Sequence, residues 1–251
     1  MSALLDVSDL SKRFGGLHAV RNVSFSIAPG EIVGILGPNG AGKTTLYNLL
    51  TGFIPPDRGT ILFKGRSLRG LAPYRIAGLG ISRTFQLCRP FVGMTVFENV
   101  LVGGLGAHGG HRRALDARAL ELIAQVGLGE KARLPVETLS YGDQRRLEIA
   151  RALAAKPALL LLDEPFAGLG SSEIADLSAL IRKVHAEQSL TVMLIEHKLH
   201  EFMRLVGRVI ALDFGEVIAE GTPEYIVRHP AVVEAYIGRG DEQALEPVDA
   251  A

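Results

Sequence analysis

Apolar and polar residues recur at two periods along this chain, and the switches between them lay out its elements. In RNVSFSIAPG, Val23, Phe25 and Ile27 share one face with serines between them. That period of two predicts a half-buried strand ending at Pro29–Gly30. EIVGILG follows as a continuous apolar run, the pattern of a strand covered on both faces. KTTLYNLLTG then reads as a helix stopped by Gly52, and GTILFKGRSL as a strand with a tight turn at Gly65. From Ala114 to Lys156 the pattern turns helical, with Leu147, Ala150 and Ala154 at helical spacing and Pro157 ending the run. ALLLLDEP is again a buried strand. Ile174, Leu177, Ile181 and Val184 mark an amphipathic helix, and LTVMLIEH closes the series as a strand.

Strand and helix alternating in this way imply a parallel sheet with helices on both faces, an α/β class. The mainly helical stretch of about 87–155 reads as an insertion in one domain spanning 1–238. The polar end, 239–251, reads as a flexible tail. VGGLGAHGGHRR reads as a flexible loop rather than a metal site, because His108 and His111 have no cysteine or acidic neighbour at ligand spacing.

Composition narrows the options. Lys plus Arg balance Asp plus Glu at 27 each, so no global attraction to nucleic acid or anionic lipid is expected. The single cysteine, Cys88, rules out an intrachain disulfide and reads as a small semi-buried apolar residue. The N-terminus, MSALLDVSDLSKRF, lacks the basic-then-apolar pattern of a signal peptide. The longest apolar runs fall well short of the roughly 18 residues that a spanning helix needs. A soluble chain is expected, and any work at a membrane requires a partner.

The chemistry begins at GPNGAGKTTL. Gly37, Gly42, Lys43 and Thr44 satisfy G-x-x-x-x-G-K-[ST] between a buried strand and a helix, the context this phosphate-binding motif needs. Side chains there would block approach, whereas glycines let backbone N–H groups converge on phosphate oxygens at a helix N-terminus. Lys43 would bridge the β- and γ-phosphates and the Thr44 hydroxyl would ligate Mg²⁺. LLLLDEP delivers Asp163 to the C-terminal edge of its strand, where it would hold Mg²⁺, with Glu164 beside it to polarise the attacking water. In LSYGDQRRLEIARAL, Ser140 and Gly142 sit at a second helix N-terminus and offer a second anion site. His197, in IEH, ends a later strand and is a candidate γ-phosphate contact.

Together these residues resemble the ATP-binding subunits of ABC transporters, over roughly residues 4 to 238. The resemblance implies the P-loop NTPase fold of the ABC type: a mainly parallel sheet, an antiparallel β subdomain and an inserted helical subdomain. Gly37, Pro38, Asn39, Gly40, Ala41, Gly42, Lys43, Thr44 and Thr45 match the Walker A loop, and Leu159 to Glu164 match Walker B. Gln86, in ISRTFQ, matches the Q-loop glutamine that touches Mg²⁺ and faces the membrane partner. Leu139 to Asp143 match the signature and His197 the switch histidine. Phe14, in KRFGG, matches the aromatic that stacks on adenine, and Val20 belongs to the same adenine-contacting set.

FGGLHAV, RTFQLCRPFVGMTVFENVLVG, YGDQRRLEIARAL and GTPEYIVRHPAVVEAYIG are similar to the branched-chain amino acid importers in particular, with amide, urea and lipid transporters as related alternatives. The family implies ATP and Mg²⁺, integral-membrane permease partners, a second ATPase chain and, indirectly, a solute-binding protein. It also implies a peripheral position on the cytoplasmic face of the inner membrane. Two copies, or one copy and a related subunit, would sandwich two nucleotides, each Walker A loop facing the other chain's Ser140 and Gly142. Hydrolysis, with Glu164 as base and His197 on the γ-phosphate, would reopen the pair.

The wording departs from the family at three places. Tyr141 replaces the first signature glycine, as is typical of the subfamily. Asp143 stands where glutamine is usual, which sets a carboxylate near a partner's nucleotide at an electrostatic cost. Gly170 and Ser171 occupy positions of Asn or Asp and Pro, removing a side chain that could bond across the dimer. Two rival readings remain: a soluble ABC-type ATPase, and a non-hydrolysing regulatory nucleotide-binding subunit.

Overall fold

The structure, a computed structural model, describes residues 3–105 and 112–237. The expected loop over 102–113 is helical at both ends, where 102–105 finish one helix and 112–113 begin the next, while its middle, with His108 and His111, and the 239–251 tail lie outside the described residues. In chain order the strands are β1 (Leu5–Phe14), β2 (Leu17–Ile27), β3 (Ile32–Leu36), β4 (Arg58–Phe63), β5 (Arg66–Ser67), β6 (Ile81–Arg83), β7 (Leu159–Asp163), β8 (Thr191–Ile195), β9 (Arg208–Asp213) and β10 (Glu216–Gly221). The helices are α1 (Lys43–Leu50), α2 (Pro73–Leu79), α3 (Val96–Leu105), α4 (Arg112–Gln125), α5 (Tyr141–Ala154), α6 (Ser171–Gln188), α7 (Leu199–Leu205), α8 (Pro223–Ile226) and α9 (Pro230–Ile237). They fall into two compact units, one made of the chain up to Pro73 plus everything from Thr191 onward, the other of Tyr74–Leu190.

In the first unit, β2, β1, β4 and β5 form an antiparallel sheet. The alternation seen in the sequence is met: Val23, Phe25 and Ile27 are buried while Ser24 and Ser26 are exposed, and Val7 stands opposite Phe25. β4 turns into β5 through Lys64 and Gly65, both at positive φ, the conformation that a two-residue hairpin requires. A second sheet pairs β3 in parallel with β8 and β9, and β10 closes antiparallel on β9. β3 and β8 are buried along nearly their whole length, as their unbroken apolar runs predict. The ring of Phe202, from α7, fills the space over Gly34 of β3, where a Cβ would meet it at 2.2 Å.

In the second unit, β6 and β7 pair in parallel, with Ile81 opposite Leu159 and Arg83 opposite Leu161. α3 packs on α4 and α5. The α3–α5 crossing is close because Gly103 has no side chain; a Cβ there would stand 2.2 Å from the Arg151 carbonyl.

The helical run expected from Ala114 to Lys156 is broken. α4 ends at Gln125, Gly127 turns left-handed at φ 78°, and short 3-10 turns at Gly129–Lys131 and Val136–Thr138 lead to α5. Leu128, Ala132 and Val136 are buried along this stretch, so it keeps an apolar pattern without being a helix. Among the described residues no helix is long and apolar enough to cross a membrane.

Candidate functional site

The phosphate loop runs from the buried end of β3 into α1. Gly42 is the N-cap of α1 at φ 102° with no side-chain cap, so the first-turn N–H groups are not claimed by a capping side chain. Two glycines are demanded by close approach. A Cβ on Gly37 would stand 2.3 Å from the Leu212 carbonyl oxygen, and one on Gly42 would stand 2.3 Å from that of Ala19. Lys43 is buried, and its ammonium donates to the carbonyls of Gly37 at 2.6 Å and Pro38 at 3.0 Å. The loop is tied internally by the Ala41 N–H on the Pro38 carbonyl, and to the β9–β10 turn by the Gly215 N–H on the Ala41 carbonyl. Asn39, Gly40 and Thr44 are exposed and Thr45 is half-buried.

Also in this unit, Phe14 is 49% exposed with the Lys12 ammonium 5.7 Å from its ring centroid, whereas Val20 is buried. His197 is exposed at the end of β8, on a turn held by the buried Glu196 carboxylate. That carboxylate accepts the N–H groups of His197 at 2.9 Å and Lys198 at 3.1 Å. Glu196 had no assigned role in the sequence reading, although its place beside His197 in IEH was visible.

The second unit brings together Gln86, Asp163 and Glu164, and adds three residues that the sequence reading did not single out. β7 carries Asp163, whose carboxylate pairs with Arg83 at 2.7 Å, both side chains nearly fully buried. Glu164 follows in the left-handed region at φ 50°, an uncommon and costly conformation for a residue with a Cβ. Its carboxylate accepts the Gln86 side-chain amide at 2.8 Å.

Gln86 is itself fixed through its backbone. Arg145 of α5, 2% exposed, donates to the carbonyls of Phe85 at 3.2 Å and Gln86 at 2.7 Å, and to the Tyr141 hydroxyl at 2.8 Å. Glu148, one turn on, accepts the Phe85 N–H at 2.9 Å and lies 3.5 Å from Arg145. Burial pushes the Glu148 carboxyl up from its ordinary value, against the opposing pull of the Phe85 N–H, Arg145 and Arg151. Arg83, Arg145 and Glu148 escaped notice because each finds its partner some 60 to 80 residues away in sequence.

At the N-terminus of α5, Ser140 is the N-cap and its hydroxyl accepts the Asp143 N–H at 3.2 Å. Ser140, Gly142, Asp143, Arg146, Leu169 and Glu173 line one cleft. The charge of Asp143 has a counter-charge that the sequence pattern did not reveal, an ion pair with Lys131. Burial pushes its carboxyl up, but hydrogen bonds from Lys131 and Ser140 and the charges of Lys131 and Arg146 outweigh that and hold it below the usual range. The backbone of Gly170, the N-cap of α6, is held from within the helix. Glu173, three residues into α6, accepts the Gly170 N–H at 3.0 Å and so caps the helix from inside.

A depressed carboxyl pKa stabilises the fold above the unfolded value of about 3.9, and that stability is lost as pH falls through the folded value. Asp143→Asn should therefore lower the melting temperature at pH 6–8 by an amount worth less than about 1 kcal/mol, since solvent screens a partly exposed pair. The wild type and the variant should converge only as pH falls below the ordinary carboxyl value of about 3.9. Thermal melts across that range check it; a pH-independent difference would count against the ion pair.

These geometries belong with those of known proteins. Residues 20–167 match the family described as "ABC transporter", and residues 216–242 match "Branched-chain amino acid ATP-binding cassette transporter". The chain is 45% identical to the high-affinity branched-chain amino acid transport ATP-binding protein LivG of Escherichia coli K12, covering 94% of this chain and 98% of that one. It is 43% identical, over the same shares, to BraF of Pseudomonas aeruginosa, whose name is otherwise the same. Among solved structures, the ADP conformation of an ATP-binding cassette of an ABC transporter superposes with a TM-score of 0.87 at 30% identity, covering 95% of this chain and 100% of that one. A dimeric post-hydrolysis cassette bound to ADP and Pi gives 0.78 at 28% identity, covering 87% and 98%. Phosphate loop, Asp163–Glu164 strand end and whole-chain likeness agree: this chain belongs to the ATP-binding cassettes of ABC transporters.

Proposed function

We propose that the chain is the ATP-hydrolysing motor subunit of an ABC importer for branched-chain or other hydrophobic amino acids. Permease subunits would hold it at the cytoplasmic face of the membrane. The observation that carries this is the Gly37–Thr45 loop, whose backbone lies where side chains at Gly37 and Gly42 could not fit, in a chain so like LivG and BraF throughout.

ATP phosphates would be cradled by the N–H groups of the loop, with Lys43 leaving the Gly37 and Pro38 carbonyls for the β- and γ-phosphates. Phe14 would stack on the adenine, beside Val20. The donors for Mg²⁺ are the Thr44 hydroxyl, the Gln86 amide oxygen and the Asp163 carboxylate, oxygen ligands that suit a hard cation sharing its shell with phosphates. So small a set of protein oxygens fits a cation that keeps several waters and is held by one or two carboxylates together with substrate phosphates. When bound, Mg²⁺ would neutralise charge developing on the phosphates. Glu164 would take the proton from the attacking water, and Gln86 would orient that carboxylate. His197 would contact the γ-phosphate. In a pair of chains, Ser140 and Gly142 of each would complete the other's site, so ATP would close the pair and hydrolysis would reopen it.

Purification of the tagged chain from solubilised membranes, followed by mass spectrometry, tests the assignment. Polytopic permease subunits and a second ATP-binding chain should accompany it, and its loss should abolish uptake of radiolabelled leucine. Recovery from the soluble fraction alone, with uptake intact, would overturn the importer reading.

A further inference from the structure

Helix α9, the last among the described residues, reaches the phosphate loop. Tyr236 is buried, and its hydroxyl accepts the backbone N–H of Gly37 at 3.1 Å, across 199 positions of sequence. On the other side of the same residue, the Gly37 carbonyl accepts the Lys43 ammonium at 2.6 Å. Gly37 is thus gripped at both its N–H and its carbonyl, at the point where β3 becomes the loop and where even a methyl group would strike the Leu212 carbonyl.

The two grips differ in kind. The one from Lys43 is given up when the ammonium turns to a phosphate, whereas the hydroxyl of Tyr236 faces the N–H and has no reason to leave. We infer that Tyr236 is a positioning residue, through which α9 keeps the phosphate loop in its binding shape as Lys43 changes partner. This rests on the reading of the loop as an ATP site. The packing around the ring is not what matters to the loop; the hydroxyl is. A buried N–H left without an acceptor carries its full desolvation cost, and the loop would relieve it at Gly37 by shifting, at the expense of the alignment of its phosphate-binding N–H groups.

Tyr236→Phe in the full-length chain separates ring from hydroxyl. ATP dissociation constants, by calorimetry with Mg²⁺ present, should rise about tenfold, and the KM of the ATPase should rise by the same factor with kcat within about twofold. A general loss of stability would not split KM from kcat in this way. Amide hydrogen exchange on the nucleotide-free wild type gives a measurement independent of the variant: the Gly37 N–H should be strongly protected. Unchanged ATP affinity in the variant, a fall in kcat at constant KM, or rapid exchange at Gly37 in the wild type would each overturn the inference. Failure of the wild type to bind ATP would instead strike at the functional reading itself.

Discussion

Glu164→Gln should lower ATP turnover by at least about a hundredfold while leaving ATP binding intact. A positioned base is typically worth 10²–10⁴ in rate, and glutamine keeps the shape of the side chain while losing its capacity to take a proton. In the proposed mechanism this residue is the base. Glu164 directly follows the buried strand β7 in a left-handed backbone conformation, and its carboxylate accepts the Gln86 amide. Conformations of that kind persist where the surrounding structure imposes them, often at sites of chemistry. Phosphate release under saturating Mg-ATP measures the loss, and light scattering measures the second consequence, a dimer that forms with ATP and does not dissociate. Turnover above a tenth of the wild-type rate would remove Glu164 from the role of base. A variant that stays monomeric would show that closure needs the permease or the second ATPase chain.

Arg145→Met carries the largest expected cost in stability. The guanidinium is almost wholly buried and holds two backbone carbonyls, a tyrosine hydroxyl and a nearby carboxylate. Removing it leaves Glu148 buried with its nearest cation gone, a change that typically destabilises by about 3 kcal/mol or more. Urea denaturation should show this as a lower midpoint with an unchanged slope. Turnover should fall as well, because the Gln86 carbonyl loses its anchor and the side chain that aims Glu164 is set less firmly. Adding Glu148→Gln should recover part of the stability, since the stranded charge is then gone, but it should not recover turnover. If the two substitutions merely add, the pair is not coupled and the anchoring argument fails.

The parts of this molecule that could be read from sequence are those whose cause is local. β3, β7 and β8 announce themselves as unbroken apolar runs because both their faces are covered, and α6 by its apolar stripe through Ile174, Leu177, Ile181 and Val184. The phosphate loop is legible because glycine spacing is itself the chemistry. The break between α4 and α5 was not, since Leu128, Ala132 and Val136 are buried in and beside 3-10 turns at intervals that imitate a helix. The tethers of the site were hidden for a different reason. Arg83 on Asp163, Arg145 on Gln86 and Tyr236 on Gly37 are contacts that only the folded chain creates. Asp143 and Gly170, which depart from the family wording, each have a local partner that the wording does not show: Lys131 pairs with the carboxylate of Asp143, and Glu173 caps the backbone of Gly170.

The single thiol, Cys88, lies two residues beyond Gln86, half-buried, with its sulfur 3.5 Å from the Glu148 carboxylate. Burial first, then the charge of Glu148, pushes the thiol up to about 12. Only the thiolate reacts readily with electrophiles, and a displacement of about three pH units leaves roughly a thousandth of the thiolate of a free cysteine. Burial and the acid that fastens the Phe85 backbone therefore together keep the sulfur chemically quiet, and the segment that carries Gln86 contains its own dormant label, one that wakes only where that packing opens.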